Sequence, residues 1–222
     1  MGSGISPLDE ALGLGDSRYS PRVLSWLARL GATLPFAQAA ALLEELTGIH
    51  VSTATVRRQT EAVGATAVAL ADAEVERIEQ EWPEAPVAPA RLVTGADGAM
   101  IPLRHGEWAE VKLVSVGEPV PEAAGVRTGH LSYFARLSDA ETFGRQALGE
   151  LHRRGLERAG EVAAVQDGAL WLQGFLDFHR PDARRILDWP HAAQRLTAIT
   201  EQLFGVATAR SQRVADRLRG WL

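Results

Sequence analysis

Two aspartates stand out by their surroundings. Asp97 lies in residues 93–102, VTGADGAMIP, and Asp167 in residues 163–172, AAVQDGALWL; each meets an apolar, strand-like run and is followed by Gly-Ala. Two carboxylates held a few ångströms apart repel each other and do not both ionise unaided, so such a pair calls for a divalent cation. Mg²⁺ or Mn²⁺ held there would polarise a phosphodiester and activate a hydroxide or a 3′-hydroxyl for in-line attack. Gly98 and Gly168 are expected to leave room for a phosphate backbone or a metal-bound water. Asp-Gly is also a frequent turn dipeptide, and an aspartate at a strand-to-helix junction also suits an N-cap. For Asp167, ligation and capping both stay open.

The elements around these residues predict which of them can meet. Residues 91–103, 108–116 and 129–137 read as three strands joined by links short enough for an antiparallel meander. Ser138-Asp-Ala-Glu141 reads as a capping box that opens a helix running to about residue 159. Then come a short buried strand at 161–166, a helix at 169–178, a strand at 184–188 and a long helix from Pro190. Ala192, Leu196, Ile199 and Leu203 form the expected buried line of that last helix. The order β-β-β-α-β-α-β-α describes an α/β (α+β) mixed sheet with helices on its faces. In it the first strand is expected to lie centrally, beside the parallel strand ending at Gln166, so that Asp97 and Asp167 sit side by side.

The first eighty residues read as helices. Ser20 and Pro21 open one that Gly31 is expected to stop, and residues 36–47 form a second, ended by Gly48. Ser52 then caps a third, expected to run to Gly64, with a charged connector helix over 65–81. Two short helices around a glycine link, the second opening Ser52-Thr-Ala-Thr55 and carrying Arg57 and Arg58, form a helix-turn-helix pattern. Ser52, Thr53 and Thr55 would meet phosphates, and the two arginines phosphates or guanine edges. An ordinary helical hairpin with solvated arginines fits the same residues. Three prolines in residues 82–90, WPEAPVAPA, mark a boundary. The expected organisation is a helical DNA-binding region over 1–81, a linker over 82–89 and a sheet domain over 90–222.

Composition narrows the class. The chain has 222 residues, 46% of them apolar, and a net charge of -5, which suits a folded protein and argues against a general nucleic-acid coat. No run is apolar enough to cross a bilayer, and the start, MGSGISPLDE, lacks the features of a secretion signal, so a cytoplasmic protein without a membrane partner is expected. There is no cysteine, which leaves carboxylates and histidines as metal ligands. Lys112 is the only lysine.

The helix-turn-helix followed by VTGADGAMIP, AAVQDGALWL and ILDWPHAAQRL resembles bacterial insertion-sequence transposases of the Mutator-like DDE superfamily, from about residue 20 to 204. The resemblance implies an RNase H-like catalytic domain with Asp97 and Asp167 holding Mg²⁺ or Mn²⁺ for cutting and joining DNA. Asp188-Trp-Pro-His191 looks like the superfamily's Cys-or-Asp-x-x-His signature. It implies that His191 is a secondary active-site residue; a structural histidine in the first turn of a helix fits equally. Asp188 reads as that helix's cap. His179 reads as a surface-loop residue, and Arg180, Arg184 and Arg185 as phosphate contacts or a solvated loop. DNA, as terminal repeats and target, and further copies of the chain are the implied partners, with the nucleoid as the place of action in the bacterial cytoplasm. The family also needs a third acid, a glutamate, after a helical insertion beyond the fifth strand. The chain ends at Leu222 inside that insertion, and Glu201 is the nearest candidate, though it reads as a solvated helix residue. The resemblance leaves two functions, an active or incomplete transposase and a non-enzymatic DNA-binding repressor or relic derived from one.

Overall fold

The computed structural model describes residues 19–123 and 125–220. The stretch at the start of the chain, on which the expectation of no secretion signal rests, lies outside them. Among the described residues are seven α-helices and one five-stranded mixed sheet. None of the helices is long and apolar enough to cross a membrane. The chain forms two compact units that part between Ala73 and Glu74.

The first unit is helical. Helix α1, Pro21–Thr33, starts on Ser20, whose hydroxyl accepts the Val23 amide at 3.4 Å, and has proline in its first turn. It does not stop at Gly31. A Cβ there would sit 2.1 Å from the Thr60 hydroxyl, so the glycine serves close helix packing instead. Helix α2, Phe36–Thr47, does end at Gly48, in the left-handed conformation at φ 71°. Helix α3, Thr53–Glu81, is one continuous helix of 29 residues; a single glycine at 64 costs only about 1 kcal/mol against alanine and does not end it. Val23, Leu27, Ala39, Ala40, Leu43, Val51 and Val56 close the unit's core. Beyond them, residues 61–70 of α3 are exposed on every side.

The second unit begins within α3, where Val75 and Ile78 are buried. Residues 82–90 are anchored to this unit: Ala85 and Pro89 carbonyls accept from Arg158 (3.1 Å) and Gly160 (3.0 Å). The strands are β1, Arg91–Pro102; β2, Trp108–Glu122; β3, Gly125–Arg136; β4, Glu161–Gln166; and β5, Arg184–Leu187. Their order in space is β3-β2-β1-β4-β5, with β1 to β3 antiparallel neighbours and β4 and β5 parallel to β1. The first strand is central, as its place in the chain predicts. The β2–β3 hairpin is longer than expected because Pro119 and Pro121 sit inside β2. They lie beyond Gly117, the last residue paired with β1, and two residues apart they put their missing N–H groups on the edge that β1 has left.

Helices α4, Ala140–Arg153, and α5, Leu170–His179, cover one face of the sheet. The cap of α4 is Asp139, one residue later than the expected capping box. Its carboxylate accepts the Thr142 amide at 2.9 Å and the Thr142 hydroxyl at 2.6 Å, which holds it below the usual aspartate range. Leu92, Ala96, Val114, Val116, Val162 and Ala164 point from the sheet into a core with Phe143, Ala147, Leu172, Phe175 and Leu176. Helices α6, Trp189–Phe204, and α7, Ala209–Arg219, pack on each other. The sequence reading did not include α7, and Ile199 and Leu203, expected inside, are exposed, with Thr200 buried instead.

His179 is not a surface-loop residue. It closes α5, its ring is 4.6 Å from that of Phe175, and its Nε2 lies 2.8 Å from the Gly144 carbonyl. Burial pulls its pKa from 6.5 to about 4. The unfolded chain therefore takes up a proton below pH 6.5 that the folded protein refuses until about pH 4. Its contribution to stability is complete above pH 6.5 and lost as the pH falls through that window, by up to about 1.4 kcal/mol per unit. Urea midpoints at pH 7.5 and 5.5 are expected to differ less in His179→Gln than in the parent protein.

Candidate functional site

Parallel pairing of β1 with β4 leads toward the two Asp-Gly-Ala segments. The pairs of β1 with β4 keep one offset, Arg91 with Glu161 through to Thr94 with Ala164. The strands are still adjacent one residue on, where a Cβ on Gly95 would lie 3.2 Å from the Val165 carbonyl. Asp97 and Asp167 each lie three residues beyond the last of these pairs, Thr94 with Ala164. Asp97 alternates with buried Ala96 and so belongs to the face away from α4 and α5, with Val93 and Gly95.

Each carboxylate has one oxygen engaged locally. Asp97 Oδ1 accepts from the Gly98 amide at 2.7 Å, and Asp167 Oδ1 from the Ala169 amide at 2.7 Å. Asp167 therefore makes a turn that leads into α5, whose own cap residue, Ala169, has no side chain able to do so. Carboxylate oxygens are the right donors for a hard divalent cation. Among the described residues, however, no third Asp, Glu or His joins them into a group able to hold a metal, so the set fits in kind and is incomplete in number. Glu201 does not complete it. It stands six residues past Arg195 on another side of α6, lines a cavity of about 240 Å³ between α6 and α7, and accepts the Ala207 amide at 3.3 Å.

The two glycines have different causes, and neither is the expected clearance for phosphate. A Cβ on Gly98 would fall 2.1 Å from Glu110 Oε1. Glu110 occupies that space and receives Lys112 Nζ at 2.6 Å, while Lys112, 7% exposed, lies 5.5 Å from the Trp171 ring centroid. Gly168 instead has φ +83°, a conformation that side chains resist, and the space its Cβ would take is bounded by Leu187 at 3.2 Å and Arg195 Nη2 at 3.7 Å.

Helix α6 is tied to the same edge. The Asp188 amide donates to the Gln166 carbonyl at 2.9 Å, one residue before Asp167. Asp188 caps α6, as expected: its Oδ1 accepts the His191 amide at 2.9 Å, and its Oδ2 lies 2.7 Å from His191 Nδ1. The His191 amide, then its ring, holds the Asp188 carboxyl below the usual range. With Nδ1 donating to that carboxylate, Nε2 is the ring nitrogen left for other partners. Arg195, one turn further on, brings Nη2 to 3.4 Å from the Asp167 carbonyl.

No family model matches this chain, and no curated protein matches it.

In the helical unit, the Ser52 hydroxyl is committed to capping, accepting the Thr55 amide at 3.2 Å and lying 2.9 Å from the Thr55 hydroxyl. Thr53 is exposed at the first helical position. Arg57 Nε stands 3.8 Å from Glu61 Oε1, an ion pair too long for a hydrogen bond. Arg58 is exposed. The arginines expected near phosphate in the sheet unit are largely occupied: Arg180 binds the Leu156 and Ala159 carbonyls at 2.8 Å, Arg184 is 3.6 Å from Glu161, and Arg185 bonds Gln173 at 2.7 Å and also Asp177. Sequence reasoning missed Arg195. The signal for it is its spacing of four from His191, one helical turn on the same face.

Proposed function

We propose that the protein acts on DNA as a DDE-type transposase, with an RNase H-like sheet unit and a helix-turn-helix unit. The observation that carries this is the parallel pairing of β1 with β4 at one constant offset, which leads both strands toward Asp97 and Asp167, each three residues past the last pair. The strand order β3-β2-β1-β4-β5 supports the RNase H-like reading, since the resemblance calls for a central first strand beside the parallel fourth. Asp97 and Asp167 are the residues that would hold Mg²⁺ or Mn²⁺. When bound, such an ion activates a water or 3′-hydroxyl and neutralises charge on the phosphodiester. The chain's own part is to fix the two carboxylates through the Gly98 and Ala169 amides, and to hold His191 by Asp188 so that Nε2 faces outward from that pair. In the helical unit, Arg58 and the exposed N-terminal turn of α3 would contact DNA phosphates and base edges, with Arg57 beside them.

Glu201's commitment to the α6–α7 cavity favours a second reading, a repressor or relic that binds DNA and does not cut it. One experiment separates the two. The protein is incubated with duplex DNA carrying terminal repeats, with Mg²⁺ or Mn²⁺, and both binding and strand products are followed. Metal-dependent products support the transposase, and salt-sensitive binding without products supports the repressor. Absence of binding removes both. In either case Arg57→Ala with Arg58→Ala is expected to weaken binding about tenfold or more and to lower its salt dependence by one to two released ions.

A further inference from the structure

The acidic edge has a cation poised beside it that the protein does not otherwise use. Most arginines of the sheet unit have carboxylate partners, among them Arg91, Arg127, Arg145, Arg153, Arg158 and Arg219. Arg195 has none within ion-pair distance among the described residues; its one bond is the long 3.4 Å contact to the Asp167 carbonyl. Its guanidinium leans over Gly168, where even a methyl group would come within 3.7 Å of it. The helix that carries it is pinned at its start to the end of β4 through Asp188 and Gln166. A phosphodiester approaching Asp97 and Asp167 meets two negative charges, so it needs a protein cation on its flank. A guanidinium is suited to that work, because its planar fork matches two phosphate oxygens and it never loses its charge.

We propose that Arg195 grips a phosphate of the nucleic-acid substrate at the Asp97–Asp167 edge, an assignment that rests on the DNA reading above. It makes Arg195 a substrate-binding residue and gives α6 a purpose other than supplying a third acid.

The test is the salt dependence of duplex DNA binding by the whole protein, followed by fluorescence anisotropy. Arg195→Ala is expected to weaken binding about tenfold and to lower the slope of log K against log salt by about one. Arg195→Lys is expected to keep most of the slope while losing affinity, because the charge stays and the fork is gone. Arg213→Ala, at an exposed position on α7, is the control for overall charge and is expected to leave the slope unchanged. Arg195 is exposed, so its variants should melt with the parent; if Arg195→Ala does not, Arg195→Gln takes its place. A parent-like slope in the alanine or glutamine variant, or an equal drop in Arg213→Ala, overturns the assignment of Arg195 and leaves the DNA reading standing. No salt-dependent binding by the parent protein overturns both.

Discussion

Asparagine at Asp97, at Asp167 or at both is expected to cost on the order of a thousandfold or more in metal-dependent strand cleavage, with the double variant little worse than either single one. Non-additivity follows because the two carboxylates would act as one site, and half a site holds no ion in place. Asparagine is the informative substitution because it keeps each residue's local bonds. The Asp97 contact to the Gly98 amide and the Asp167 contact to the Ala169 amide each need one acceptor oxygen, which the amide side chain still offers. The fold should therefore survive and the loss report charge alone. Gel-resolved products from a terminal-repeat duplex in Mn²⁺, with thermal melts alongside, make the measurement. Parent-level cleavage in both single variants would sink the assignment of these residues.

Phe143→Ala is expected to destabilise the sheet unit by about 3–5 kcal/mol, a large part of a typical domain's stability. Phe143 is wholly buried in α4 and is the hub of an aromatic cluster. Its ring lies 5.9 Å from Phe134 on β3, 5.7 Å from Phe175 and 6.1 Å from Trp171, both on α5. Removing it opens a cavity between sheet, α4 and α5 that three stiff rings cannot refill. Phe143→Leu keeps most of the volume and should cost much less. Because the chain has two compact units, the effect belongs to the sheet unit's transition in urea, followed by near-ultraviolet circular dichroism. A Phe143→Ala midpoint equal to the parent's would show that this cluster does not hold the unit together.

The sheet was legible in the sequence where local chemistry and long-range order agree. Period-two runs and the strand–helix alternation are sufficient to place β1 beside β4, and both Asp-Gly-Ala segments begin three residues past the last of the paired residues. Caps were legible at Ser20, Ser52 and Asp188, since a short polar side chain before an apolar run has one dominant use. What local rules missed was decided by distant partners. Gly31 and Gly98 look like punctuation, yet Thr60 and Glu110 fill the space beside them. Pro119 and Pro121 look like a loop, yet they lie where β2 has lost one neighbour. His179 looks polar and exposed until α4 supplies its acceptor, and Arg195 becomes noticeable only when Asp188 fixes where α6 starts.

Lys112 carries one more consequence. It is the chain's single lysine, and its ammonium group is closed in by Glu110 and the Trp171 ring. Acylating reagents, amine cross-linkers and enzymes that attach groups to lysine find no other ε-amine in this chain. Acylation of the native protein is thereby disfavoured at its single lysine, and a label appearing on Lys112 marks molecules in which Glu110 has left its seat over Gly98.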